Sequence, residues 1–404
     1  MEIDAQKRLH GPWHYDEVVD YITSCEQHVK RRQKQFLANL RNVESNLKRC
    51  PSSSKPHFMR LRSQTVEQAA QIQHRLEDIQ DFRRSIQSSK AILIGPATLD
   101  SLVDEEPHSW DYIDHEQLPF EHLFFDFVEP LQGGVPVSNV DGSLIGLSLH
   151  AITNERKEDV EFRRSMVLGD LDKNVSFAST PYNYTTFIRS PLSRELINIT
   201  GYFQAFSVNG ETKRRLFLGG EYQLLGQPQC DFIVDPVREE TLWTLHREPL
   251  VQGQQVKYEY ADTKKIPHHE TLERLPRLCV NLVNYINAHN VTVVARNRKP
   301  RIVKYDGKFI EEPSSRRPFH LITIKDEEVG ETREAGKSWE LNWRVFVRGH
   351  PVRYRDEQGN IYLTIWRRPH LRGPENAPWR EQRYEVLAKK LEQEREMYRQ
   401  HGIE

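Results

Sequence analysis

Sulfur chemistry is what this chain has least of. Its four cysteines, Cys25, Cys50, Cys230 and Cys279, lie far apart and form no C-x-x-C pair. That spacing argues against a structural zinc site and against a disulfide framework, and leaves core or interfacial thiols. Long apolar runs are missing as well. Nothing approaches the roughly 20 residues that span a bilayer, and Met1 to His10 is polar, without a signal-peptide hydrophobic region. The expectation is therefore a cytoplasmic protein with no membrane partner. There is no dinucleotide fingerprint, and Gly219-Gly220 lacks the Lys-Ser/Thr ending of a phosphate loop and reads as a turn. H-E-x-x-H, the EF-hand loop and the G-x-S-x-G elbow are absent too. These gaps predict no metal and no cofactor, and they favour a binding protein over an enzyme of a common class.

Positive charge is missing from one region. Between Ala91 and Glu155 there is no Lys or Arg but there are twelve acids, among them Asp104, Glu105, Glu106, Asp111, Asp114, Glu116 and Glu129. The net charge of −1 hides this segregation, because the end of the chain is basic. Such asymmetry implies either two differently charged partners or two regions that attract each other.

At 404 residues the chain is long enough for two or three domains. The expected class is α+β, with a helical hairpin over 1–90, an acidic recognition domain over 91–265, and a helix plus basic β-module and terminal helix over 266–404. Ile22, Val29, Phe36, Val43 and Cys50 recur every seven residues, which predicts one long helix from about Tyr15. Pro51 to Pro56 breaks it, and a second helix follows from about Ser63 to Ser88. An antiparallel hairpin of this kind is either packed on its own domain or an arm for a homodimer or a large partner.

Ala91 to Gly95 predicts a short buried strand, and Leu118 to Phe127 a strand of aromatics among carboxylates. Glu121, Phe124 and Asp126 are its candidates for holding a short peptide through apolar pockets and charge. Gly133-Gly134 and Asp141-Gly142 mark turns, and Asn209-Gly210 predicts a β-hairpin. Glu270 to His289 reads as an amphipathic helix with Pro276 near its start, and Trp379 to His401 as a charged terminal helix.

The most distinctive stretch is Trp343 to Pro374. Two segments rich in β-branched and aromatic residues flank Asp356-Glu357-Gln358-Gly359, which predicts a β-hairpin. Arg348, Arg353 and Arg355 on the first strand, Arg367 and Arg368 on the second, and Arg372 beyond it make a surface for anions or RNA, joined by His350 and His370. Tyr354 and Trp366 are the expected packing or stacking aromatics. As catalytic candidates, His350 and His370 with Arg348 and Arg368 supply the residue types of a metal-independent ribonuclease. The alternatives are a non-enzymatic RNA-binding module, or an adaptor that oligomerises through the helices. Gly349 is expected to permit a bulge.

Val347-Arg348-Gly349-His350, Tyr354, and Ile365-Trp366-Arg367-Arg368-Pro369-His370-Leu371-Arg372-Gly373-Pro374 together resemble the C-terminal signature of phage and plasmid proteins related to a type V-A anti-CRISPR family. That family recognises the nascent N-terminal peptide of a type V CRISPR nuclease and lowers the messenger RNA being translated. The resemblance implies a cytoplasmic inhibitor from a mobile element of a bacterial host. Its partners would be a nascent peptide on one side, and RNA or the ribosome on the other.

Overall fold

The computed structural model describes residues 13–104, 118–137, 140–151, 175–177, 182–189, 196–208, 214–222, 230–235, 240–245, 269–296, 301–305, 308–312, 318–325, 342–358 and 361–401. The chain is an α+β protein that divides into two compact units, Tyr15–Ser89 and Met1–His14 with Lys90–Glu404.

The smaller unit is the helical hairpin. Helix α1 spans Trp13–Arg49, and its last turn carries Lys48 and Arg49, cations that suit the negative helix end. A 3-10 turn over Ser52–Ser54 leads into α2, Lys55–Ser88, with a proline in its first turn where no donor is lost. Val18, Ile22, Val29, Leu76 and Ile86 are buried, and the Tyr15 hydroxyl donates to the Ile86 carbonyl at 3.0 Å. The buried Glu26 carboxylate accepts from Lys30 and Gln80 and pairs with Arg83. The bond from Lys30 holds its carboxyl below the usual range, against the opposing effect of burial.

The larger unit is built on an eleven-stranded sheet. Its first two strands, β1 (Lys90–Ile94) and β2 (His122–Val137), are parallel, and α3 (Pro96–Asp104) lies between them in the chain. An antiparallel meander continues through β3 (Val140–Ala151), β5 (Tyr182–Arg189), β6 (Leu196–Val208), β7 (Arg214–Tyr222), β8 (Cys230–Asp235) and β9 (Glu240–Leu245), with β4 (Val175–Phe177) also on β6. On its other side β1 is parallel to β13 (Phe319–Ile324), which pairs antiparallel with β10 (Val291–Arg296). Lying between two parallel neighbours, β1 is buried from Ala91 to Ile94, as an unbroken apolar run requires. Helix α4, His269–Ile286, covers one face: Leu278, Leu282, Val283 and Ile286 join Ile92, Phe125, Phe127 and Ile322 in the core. Strands β11 (Arg301–Tyr305) and β12 (Lys308–Glu312) make a separate hairpin.

Several expectations shift. The boundary near 265 is not a division between compact units, because β13 adds to the sheet beside β1 and carries the C-terminal third into the same core. Gly219 and Gly220 are strand residues of β7, not a turn. Gly220 faces Gly201, which faces Tyr184; a Cβ on Gly201 would lie 2.2 Å from the Tyr184 ring, so glycine makes room for that ring. Gly133-Gly134 falls within β2, where the register shifts, and α4 runs through Pro276 rather than starting near it. Asn209-Gly210 and the acids from Glu105 to Glu116 lie outside the described residues, although β6 and β7 pair as the expected hairpin.

Candidate functional site

The basic hairpin forms, but in two tiers. The outer ladder pairs β14 (Val345–Val347) with β17 (His370–Arg372), and the inner pairs β15 (His350–Arg355) with β16 (Ile361–Arg367). Both strands break at one level, Arg348-Gly349 on one side and Arg368-Pro369 on the other. Proline has no N–H for a ladder, which ends β16. Gly349 permits a tight approach rather than a bulge: a Cβ there would sit 3.0 Å from Trp366 Nε1 and 3.1 Å from Pro369 Cδ. Its own N–H donates to Ser101 Oγ on α3 at 3.1 Å. The only register shift in the inner ladder falls later, between Tyr354 and Arg355.

Each break carries an Arg-x-His turn. His350 Nδ1 lies 2.9 Å from the Arg348 carbonyl, and His370 Nδ1 lies 3.1 Å from the Arg368 carbonyl. A carbonyl only accepts, so each Nδ1 carries its hydrogen and Nε2 is the ring atom left for a ligand. The four catalytic candidates thus occupy equivalent places in facing breaks.

The other predicted residues separate. Arg355, Arg367, Arg368 and Arg372 are exposed, while Arg348, Arg353 and Tyr354 are half-buried. Arg353 belongs with Trp366 and Thr364 on the face opposite His350 and Arg367, so the arginines do not share one surface. The Arg368 guanidinium donates to the Ile324 carbonyl and so fastens the break to β13. Trp366 is only 2 % exposed, its ring edge-on to Tyr285 at 4.7 Å. The Trp366 N–H donates to Asn290 Oδ1 at 2.7 Å, and Asn290 Nδ2 donates to the Trp366 carbonyl at 2.9 Å, replacing a strand neighbour. A stacking role for Trp366 is therefore corrected to a core role. Tyr362 was missed: it is 67 % exposed with its ring 6.4 Å from that of Tyr354. Spacing gave no signal of this, because Tyr362 alternates with the buried Trp366 and the ladder skips it at the register shift.

Helix α5, Gln382–Gln400, contributes a second set of residues that sequence reasoning missed. A cleft of about 460 Å3 lies between α5, β13 and the second break, lined by Arg368, His370, Glu394, Arg395, Tyr398 and Arg399 over Ile322 and Ile324. Arg399 pairs with Glu392 and Glu396, and Arg395 approaches Glu392 at 3.8 Å, so these two arginines are balanced within the helix. Glu394 is buried against Gly95, where a Cβ would be 2.3 Å from its carboxyl carbon. Its carboxyl accepts from Thr98 N at 2.9 Å and Thr98 Oγ1 at 2.6 Å, capping α3. Burial raises its pKa despite these bonds.

The peptide candidates fare differently. Phe124 is enclosed against Phe187, and Asp126 is buried with its carboxylate 3.0 Å from His14 Nδ1. Both are withdrawn as peptide contacts, because Leu123 to Phe127 are buried in succession on both faces of β2; only Glu121 is exposed. Beside them His122 faces His150, whose pKa falls to about 4 through burial and then the neighbouring imidazole. Among the described residues no cluster of His, Cys, Asp or Glu could hold a metal ion, and no helix is long and apolar enough to cross a membrane.

The fold thus defines an α+β chain with a two-tiered basic hairpin docked on a mixed sheet. No protein-family model, no curated protein and no solved structure matches it.

Proposed function

We propose that the C-terminal module binds RNA through its phosphates, as the RNA-facing part of an inhibitor that lowers the expression of a CRISPR effector. The observation that carries the RNA reading is the meeting, on one hairpin, of exposed Arg355, Arg367, Arg368 and Arg372 with the Tyr354–Tyr362 pair. Guanidinium groups bind phosphate bidentately, and an exposed ring offers a base a stacking surface. The role in messenger loss comes from the resemblance of the same residues to the anti-CRISPR family. The nascent-peptide contact is left to residues other than Phe124 and Asp126.

The geometry changes which arginines to test. Arg368 is tied to Ile324 and Arg348 is half-buried, so reversing either would disturb the hairpin itself. Arg367 and Arg372 are exposed and have no acid partner among the described residues. Arg367→Glu/Arg372→Glu is expected to weaken binding to RNA oligonucleotides of any sequence. The slope of log Kd against log salt should fall by about two, with thermal unfolding unchanged. Equal affinity in the folded variant would sink the RNA reading. RNA copurifying from a translating bacterial extract, compared with that variant, tests whether one message is favoured.

A further inference from the structure

The helical hairpin carries a charge polarity that the heptad pattern conceals. Between Trp13 and Val29 there are four acids and no Lys or Arg, whereas between Lys30 and Arg62, around the tip, there are ten Lys or Arg and one acid, Glu44. All ten cations are exposed. Among the described residues only Lys30, with Glu26, and Arg62, with Glu44, have an acid partner, so eight are uncompensated. Lys34, Arg41 and Lys48 stand seven residues apart on the outer side of α1, away from the Phe36–Val43 stripe. At 1.5 Å per residue they form a line with steps of about 10.5 Å. Arg49, Lys55 and Arg60 continue the charge over the tip onto α2.

We propose that this arm is a second nucleic-acid contact, laying the basic half of its hairpin along a double-stranded phosphate backbone without reading sequence. The inference stands apart from the C-terminal module. A self-repelling row of cations on a helix some 55 Å long needs a polyanion that can run beside it, which a duplex supplies. A second copy of the chain is the competing occupant. Parallel copies would set like charges together. Antiparallel copies would need the acidic half, where Glu26 is buried and committed to Lys30 and Arg83, and where Asp16 and Glu17 already have interactions.

The test uses the full chain, both as it stands and with Arg367→Glu/Arg372→Glu, and compares each with Lys34→Gln/Arg41→Gln/Lys48→Gln added. Glutamine keeps the helix propensity of these exposed positions. The probes are an RNA duplex and a DNA duplex of one sequence. In both backgrounds the salt slope should fall by about two to three and the affinity at 0.15 M salt by roughly tenfold to a hundredfold, with helix content unchanged. Loss on both duplexes, or on RNA alone, supports the arm as a nucleic-acid contact. Arg31→Gln/Arg32→Gln gives an independent pair if the triple variant loses helix. Unchanged affinity and slope in folded variants would overturn the proposal, as would a fall in sedimentation coefficient with nucleic-acid binding intact, which would assign the arm to self-association. Because the arm variants are read in both backgrounds, failure of either contact is seen separately.

Discussion

The Trp366 ring is buried edge-on to that of Tyr285, so truncating it removes core and not a stacking platform. Trp366→Ala is expected to cost about 3–5 kcal/mol in denaturant unfolding. Glu394 makes a different prediction. Burial holds its carboxyl above the ordinary 4.5, so over that window the folded chain keeps a proton that the unfolded chain has released. At this group the unfolded state then binds fewer protons, so its contribution to stability is fully present below 4.5 and is lost as pH rises from 4.5 through the folded value. Glu394→Gln keeps an acceptor for Thr98 and has no proton to lose. Relative to the unsubstituted chain its urea midpoint should therefore gain as pH rises across that window, a comparison that cancels the contribution of other groups such as His150; parallel profiles would show that Glu394 ionises normally in the fold.

At the scale of elements, the hairpin is held by its neighbours more than by its own ladders. The inner ladder is short, and hairpins of two strands are marginal in water. Asn290 supplies what is missing, bonding the Trp366 N–H and carbonyl and the Lys325 carbonyl at 3.0 Å, while the His289 N–H donates to the Thr364 carbonyl at 2.8 Å. Asn290→Ala leaves these buried groups unpaired and should cost about 1–3 kcal/mol. Amide exchange in β16 is expected to accelerate more than in β1, which Asn290 reaches only through the residue that follows β13; uniform acceleration would mean that the clamp acts on the whole sheet. The strand pattern of the hairpin was legible because both segments are rich in Val, Ile, Tyr, Trp and Thr around the Asp356 to Gly359 turn. The break was half legible, through Pro369 and Gly349, but the close approach that requires glycine is set by Trp366 and Pro369 across the hairpin.

For the whole molecule, period and composition were sufficient wherever an element answers to local rules. Heptad spacing placed α1, a run of apolar residues placed β1, and proline and serine placed the turn between α1 and α2. The basic tip of the arm was equally available as ten cations against one acid, and the heptad stripe drew the reading to the opposite side of the same helix. What no local rule reaches is which elements share a core. Parallel pairing of β1 with β13 joins residues more than 220 apart and erases the expected boundary near 265; contacts with Phe187 and His14, also distant in the chain, enclose Phe124 and Asp126, which as a sequence look like an exposed acidic and aromatic strand. By itself, then, the sequence determined the two helices of the hairpin, α4 and α5, several strands, the charge polarity and the basic hairpin, because each depends on neighbours within a few residues; α3 was not among them. The tertiary structure alone decided that Trp366 belongs to the core, that Tyr362 faces solvent, and that Glu394 caps a helix some 300 residues away, because burial is set by long-range packing that spacing along the chain does not encode.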